Sequence, residues 1–223
     1  MKKFVVEMHF HTSEVSSCAH VSAADGVHLL AESGYDALIT TDHYTPDSFK
    51  KRRHLPWSEQ VDWYLSGYEA AYEAGQKENV TVLPGMEIRF KEHSNDYLVF
   101  GIDRTFLLNY PDLYLMSLDT FSQLSREQGL LIYQAHPFRN NMTIANPDYL
   151  DGLEGINSNP RHNSRNTIAQ AWAKEHNLPI IAGSDFHQVG DQGSSRLIFP
   201  DLIRSNKDLT EALRSRQYQI VTA

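Results

Sequence analysis

Length, composition and charge narrow the class of protein before any motif is considered. The chain has 223 residues, 41% of them hydrophobic, which predicts a single globular domain over residues 1–223. A formal net charge of -8 argues against binding along a long nucleic acid, which needs a broad basic surface. The single cysteine excludes an internal disulfide, and we find no signal peptide or membrane-length apolar segment. We therefore expect a cytoplasmic protein without a membrane partner, and the sequence specifies no oligomeric state.

Short apolar strands alternate with helical stretches along the chain. The predicted strands cover residues 4–9, 37–41, 81–83, 97–100, 130–134, 152–156, 180–182 and 196–198. The predicted helices cover residues 22–33, 59–77, 113–128, 165–176 and 207–214. Alternating strands and helices without a linker predict an α/β fold with a parallel sheet, and eight strands favour a closed barrel.

Polar residues with metal-binding side chains follow five of the apolar runs. His9 and His11 end the first run, and their i, i+2 spacing on a strand projects both imidazoles to the same side. The later runs end in Asp42-His43, Glu87, His136 and the pair Asp185 and His187. Active sites of parallel barrels lie at the carboxyl ends of the strands, so we expect these residues to meet in one metal site there.

The motifs, taken in order, resemble those of the PHP (polymerase and histidinol phosphatase) superfamily. They are His9-x-His11-Thr12, Cys18-Ala19-His20, Thr41-Asp42-His43, Gly85-Met86-Glu87, Ala135-His136-Pro137 and Gly183-Ser184-Asp185-x-His187. The resemblance runs from residue 9 to residue 187. It implies a distorted (β/α)7 TIM-like barrel with two or three divalent metal ions and phosphoesterase activity.

The resemblance also implies a set of ligands for each ion. The first ion would take His9, His11, Glu87 and Asp185; the second would share Glu87 and bind His136; the third would take His20, His43 and His187. Imidazole and carboxylate together suit Zn, Mn or Fe. The sequence departs from the family where a further His is expected, because Asp96 stands there. Asp96 and the nearby His93 are alternative ligands for the second ion.

The expected chemistry is hydrolysis of a small phosphorylated substrate by a metal-activated hydroxide. Glu87, Asp185 and Arg139 are the predicted catalytic residues, with Arg139 as the phosphate clamp because a guanidinium can bind two oxygens at once. Arg161 and Arg89 are weaker candidates for that role. Asp42 is expected to orient a ligand imidazole.

Two alternative functions stay open at this point. One is hydrolysis of a short oligonucleotide or a nucleoside bisphosphate, and the other is a metal-binding module without turnover. The basic run Lys50–Arg53 is expected in a solvated loop, and it would steer anions if that loop folds over the site.

Overall fold

Ten strands form one sheet in the computed structural model, which describes residues 3–222. In chain order, β1 to β10 are Phe4–Phe10, Ala37–Thr40, His43–Tyr44, Thr81–Arg89, Asp96–Phe100, Leu131–Gln134, Gly152–Asn157, Ile180–Gly183, Ser195–Phe199 and Gln219–Thr222. The helices α1 to α7 are Ala23–Glu32, Pro46–Phe49, Trp57–Glu78, Arg104–Asn109, Leu118–Gln128, Asn166–Glu175 and Asn206–Ser215. Three short 3₁₀ turns cover Lys50–Arg52, Leu113–Leu115 and Pro147–Tyr149.

Seven of the strands form a distorted barrel. They follow one another in the order β1, β2, β4, β5, β6, β7, β8. The ring closes beside β8, where the Phe186 N–H donates to the His9 carbonyl (3.0 Å) and the His11 N–H donates to the Phe186 carbonyl (3.1 Å). The first half of β1 pairs instead with β9, which continues the sheet to β10. The predicted TIM-like α/β barrel is thus confirmed, with three additional strands outside the ring: β9, β10 and the short β3, which pairs with β4.

The expectation of a purely parallel sheet is wrong. β5 runs antiparallel to both of its neighbours, β4 and β6, and β9 runs antiparallel to β1 and β10. Only six residues, 90–95, separate β4 from β5. A parallel crossover needs a dozen residues or more, whereas so short a connection suits an antiparallel pair.

This reversal decides which end of β5 lies at the rim that carries the predicted ligands. Asp96, the first residue of β5, is paired with Arg89, the last residue of β4. An acidic side chain at the start of a strand therefore lies level with side chains at the ends of the parallel strands. The same rim receives His136, which follows β6, and Asp185, which follows β8.

Local capping sets the helix boundaries. Ser22 caps α1, its side chain accepting from the Asp25 N–H, and Asn79 in a left-handed conformation (φ 57°) ends α3. The structure differs from the predicted helix over residues 113–128 in the first turn. Residues 113–115 form a separate 3₁₀ turn, and the α-helix starts only after Ser117, whose extended backbone interrupts the helical run.

Buried apolar side chains pack on several sides of the sheet. One cluster joins strands of the barrel to α7 through residues such as Met8, Leu98 and Leu209. A larger cluster joins α3, α5 and β4. Within residues 3–222, the helices all fall short of the length and hydropathy required to cross a bilayer.

Candidate metal centre

The predicted ligands of the first ion lie together and are buried. His9 Nε2 lies 3.0 Å from His11 Nε2, 3.4 Å from Glu87 Oε1 and 3.3 Å from Asp185 Oδ1. His11 Nε2 lies 3.4 Å from Glu87 Oε2 and 3.5 Å from Asp185 Oδ1. Zinc bonds of this kind are about 2.0–2.1 Å long, which places tetrahedral ligand atoms about 3.4 Å apart. The spacing of His9, His11 and Glu87 therefore suits a divalent ion, and Asp185 lies next to both imidazoles.

A second group of ligand atoms contains Glu87, Asp96 and His136. His136 Nε2 lies 3.1 Å from Glu87 Oε1, so Glu87 takes part in both groups. Of the two alternatives predicted for this ion, the structure brings Asp96 to the group. The imidazole of His93 contacts the Tyr97 hydroxyl instead (3.3 Å).

Arg89 and Asp96 form a bidentate ion pair. The Arg89 Nε and Nη2 both lie 2.7 Å from the carboxylate, one on each oxygen. Burial, and after it the neighbouring Glu87, raises the pKa of Asp96 despite this arginine. A second ion would have to share Asp96 with Arg89 or displace it.

The third group differs in membership from the one that the family resemblance implies. His43 and His187 lie together as expected, but the imidazole that joins them is His11, with ring centroids 4.5 Å from His43 and 4.2 Å from His187. His20 is exposed and lines the neighbouring cavity. Its backbone N–H donates to the His187 carbonyl at 2.7 Å. Among residues 3–222, His20 belongs to none of the groups of three ligand atoms.

Burial and neighbouring charges shift the pKa values of several residues in this buried cluster. Burial works against ionisation of Glu87, yet the imidazoles of His9 and His43 hold the pKa of its carboxyl well below the usual range. Burial lowers the pKa of His9, but the carboxylates around it, Asp185 first, raise it well above the usual range. Buried His11, next to His187 and His43, has a pKa well below the usual range. The cluster therefore offers ionised carboxylates and a neutral His11, whereas His9 would have to lose a proton to bind a cation.

Glu154, in β7, contacts two of the candidate ligands and was not identified from the sequence. Its Oε1 lies 2.8 Å from His9 Nδ1, and its Oε2 accepts from the His136 N–H (2.8 Å). A carboxylate on Nδ1 fixes the tautomer of His9 so that Nε2 faces the ion. The available signal was a charged residue inside the apolar stretch Leu153–Ile156, since buried charges are rare without a partner.

Asp42 reaches a ligand imidazole through Ser16. Its Oδ1 accepts from the Thr12 N–H (2.8 Å) and from the Ser16 hydroxyl (2.7 Å). Ser16 Oγ in turn lies 3.2 Å from His11 Nδ1 and accepts from the His43 N–H at 3.1 Å. Asp42 thus positions two ligands through one serine.

Two of the predicted ligands have a left-handed backbone. His136 has φ 29° and Asp185 has φ 52°, values that residues with a side chain rarely adopt. Gly183, just before Asp185, lies so close to His9 that an added Cβ would come within 2.5 Å of the His9 Cβ. Such strain at strand ends is common where a site requires a particular side-chain direction.

A cavity of about 290 Å³ opens beside the ligands, and three arginines line it. Each is paired with a carboxylate: Arg89 with Asp96, Arg139 with Asp185 (2.7 Å) and Arg161 with Asp191 (2.8 Å). Arg139, the predicted phosphate clamp, also donates to Asn157 Oδ1 (3.0 Å). Its buried Nε has no hydrogen-bond partner within residues 3–222.

Glu7, beneath the ligands, makes folding stability depend on pH. Its Oε1 accepts from the backbone N–H groups of His9 and Ser184, both at 2.9 Å, but burial dominates and raises its pKa from 4.5 to about 7. The native state therefore binds this proton more tightly than the unfolded state does. The contribution of Glu7 protonation to folding stability is complete below pH 4.5 and is lost as the pH rises through 7.

The Glu7→Gln variant should remove this contribution. We expect the variant to gain about 3 kcal/mol of stability relative to the parent protein between pH 4.5 and pH 8. Urea unfolding of metal-free protein across that range measures the difference. The exposed Glu69→Gln variant is the control. If the change in unfolding free energy caused by Glu7→Gln varies with pH no more than the change caused by Glu69→Gln, the assignment is refuted.

Comparisons with known proteins give one partial family match and several similar folds. Residues 163–218 match a family model described as PHP-associated. No curated protein is significantly similar in sequence. The fold is similar to that of a two-domain protein from Bacteroides vulgatus containing a predicted PHP-like metal-dependent phosphoesterase, with TM-score 0.72 and 17% identity. That match covers 99% of this chain and 65% of the other, so the chain spans just under two thirds of that protein.

Two further solved structures share the fold. PsfC from Pseudomonas syringae has TM-score 0.69 and 18% identity, over 100% of this chain and 93% of that one. The lesion-specific endonuclease PfuEndoQ from Pyrococcus furiosus has TM-score 0.59 and 12% identity, over 98% of this chain and 58% of that one.

The barrel and the metal-binding rim define the class as a TIM-like barrel with a candidate polynuclear metal centre. The match of residues 163–218 to a PHP-associated family model and the similarity in fold both agree with the resemblance inferred from the motifs.

Proposed function

We propose that the protein is a metal-dependent phosphoesterase that hydrolyses a small phosphomonoester. The observation that carries the proposal is the position of Glu87, whose carboxylate belongs to two groups of ligand atoms at the edge of the cavity. A shared carboxylate holds two cations close together, as in two-metal sites that cleave phosphate esters. The similarity to a protein containing a predicted PHP-like metal-dependent phosphoesterase supports the same reaction class.

The residues that would hold the ions follow from four groups of ligand atoms within residues 3–222. The groups His9, His11, Glu87 and His9, His136, Asp185 share His9 and would serve a first ion. Glu87, Asp96 and His136 would serve a second, and His11, His43 and His187 offer a third position that would share His11. Mixed imidazole and carboxylate ligands favour Zn, Mn or Fe. When bound, such ions would act as Lewis acids toward the phosphoryl group and would lower the pKa of a water molecule so that it ionises near neutral pH.

The residues of the chain contribute position and charge. Glu154 fixes the His9 ring, and Ser16, held by Asp42, positions His11. Arg139 lies 16% exposed at the cavity wall, with its Nη2 on Asp185 and its Nε without a partner among residues 3–222. A guanidinium placed there can bind phosphoryl oxygens while it keeps Asp185 in position.

The size and charge of the protein favour a small substrate over a polymer. A cavity of about 290 Å³ accommodates a metabolite or a nucleotide, and a net charge of -8 opposes association with a long nucleic acid. Nucleoside bisphosphates and short oligonucleotides are the alternative substrates, and a metal-binding module without turnover is the alternative function. The structural similarity to an endonuclease is a reason to include oligonucleotides in the test.

The test is phosphate release from sugar phosphates, nucleotides, nucleoside bisphosphates and short oligonucleotides, with Mn²⁺ and again with a chelator. We expect release from a small ester that depends on Mn²⁺ and stops when the chelator is added. Circular dichroism and metal analysis establish that the protein is folded and loaded. If such protein releases no phosphate from any substrate, the phosphoesterase proposal is wrong and a binding role replaces it.

A further inference from the structure

A second cavity of about 330 Å³ adjoins the metal centre. His43 and Arg89 line both cavities. The rest of its wall comes from the segment between β1 and α1, from the segment that follows β3 and from α3, and includes Lys51, Arg52 and Trp63. The basic run noted in the sequence therefore folds next to the site.

The cations of the second cavity differ from those of the first in one respect. Each arginine at the metal centre is paired with a carboxylate. Lys51 and Arg52, by contrast, form no ion pair with any residue between 3 and 222. Asp47 is the one acidic side chain that lines this cavity in the described chain, so the two free cations leave its wall net positive.

Arg52 and Trp63 form a platform on one wall. The Arg52 guanidinium lies 3.8 Å from the centroid of the Trp63 ring. Stacked in this way, a guanidinium keeps its N–H groups in its own plane free to bind an anion. The indole N–H of Trp63 is buried and has no acceptor among residues 3–222. Anion oxygens entering the cavity would supply partners for both groups.

We propose that this cavity binds a second phosphate group of the substrate, held by Lys51 and Arg52 beside Trp63, while the first phosphate lies at the metal centre. The inference rests on the proposed function and narrows its substrate to a small molecule with two separate phosphate groups. Because His43 and Arg89 line both cavities, the second phosphate would lie next to the metal centre.

The test compares two probes that differ by one phosphate, fructose 1,6-bisphosphate and fructose 6-phosphate. Affinity is measured as KM if the probe is hydrolysed, and otherwise by calorimetry with metal-loaded protein. We expect the bisphosphate to bind about tenfold more tightly, the gain typical of a charge-assisted contact. In the Lys51→Ala and Arg52→Ala variants this ratio should fall towards one.

Lys50→Ala is the matched control, because Lys50 is exposed in the same turn and does not line the cavity. Its affinity ratio should equal that of the parent protein. Lys51 is itself exposed, so its variant keeps the test decisive if loss of the Arg52 contact impairs folding. A ratio near one in the parent protein overturns the inference, and so does a high ratio that both variants leave intact.

Failure of the proposed function has a separate signature. It appears as no phosphate release from any ester, whereas the calorimetric ratio for the two probes still reports whether the second cavity binds phosphate.

Discussion

Replacing Glu87 with glutamine should abolish most of the activity and remove metal from the protein. Glu87 lies within 3.4 Å of His9 and His11, 3.1 Å of His136 and 2.8 Å of His43. Glutamine has nearly the same shape but no charge, and its NH₂ group would face imidazole nitrogens that must accept a cation. We expect kcat/KM to fall by at least about 10³-fold, which corresponds to about 4 kcal/mol.

Two measurements separate this effect from unfolding. Elemental analysis of the purified variant should show less metal per chain, and thermal unfolding should show that the apo fold persists because the substitution preserves volume. Glu69→Gln, at an exposed position of α3, is the control and should retain activity and metal. Full metal content with near-normal activity in the Glu87→Gln variant would mean that the carboxylate does not bridge two ions.

Replacing Glu154 with glutamine is expected to weaken metal binding although Glu154 touches no ion. It contacts the Nδ1 of His9 at 2.8 Å, and the same carboxylate accepts from the backbone of His136 and from Asn157 Nδ2 (3.0 Å). Glutamine has one acceptor oxygen and one NH₂ group, whereas three donor groups face the Glu154 carboxylate. Loss of such outer partners costs about 10–100-fold in metal affinity.

Titration against a competing chelator measures the affinity directly, and excess metal should restore much of the activity. The matched control is Glu7→Gln, another buried carboxylate in the same region, whose Oε1 accepts from the backbone N–H groups of His9 and Ser184 rather than from the His9 ring. If both variants lose metal affinity equally, the effect comes from buried charge in general and not from the hydrogen bond to the His9 ring.

Much of the candidate site could be predicted because its residues end apolar runs. His9 is the second-last residue of β1, and His11, His136 and Asp185 follow strands. The carboxyl ends of parallel strands meet at one rim of a barrel. Spacing along one strand was enough to place His9 and His11 on the same side. The structure brings these four side chains together with Glu87.

Other members of the site depend on contacts between distant segments. The sequence left Asp96 and His93 as alternatives, and the antiparallel direction of β5 brought Asp96 to the rim. Glu154 is separated from His9 by 145 positions, so no local pattern indicates their pairing. The path of the loop that contains His20 leaves that side chain outside the groups of ligand atoms.

The sequence by itself determined the resemblance to the PHP superfamily, the alternation of strands and helices, and the types of side chain at the strand ends. These properties arise from hydrophobic periodicity and from motifs of a few residues, which are local. Only the tertiary structure decided the antiparallel strands, the pairing of each arginine at the metal centre with a carboxylate, and the position of Lys51 and Arg52 beside the site. Those features depend on how segments far apart in the chain pack, because strand direction and ion pairs are set by the space that neighbouring elements leave.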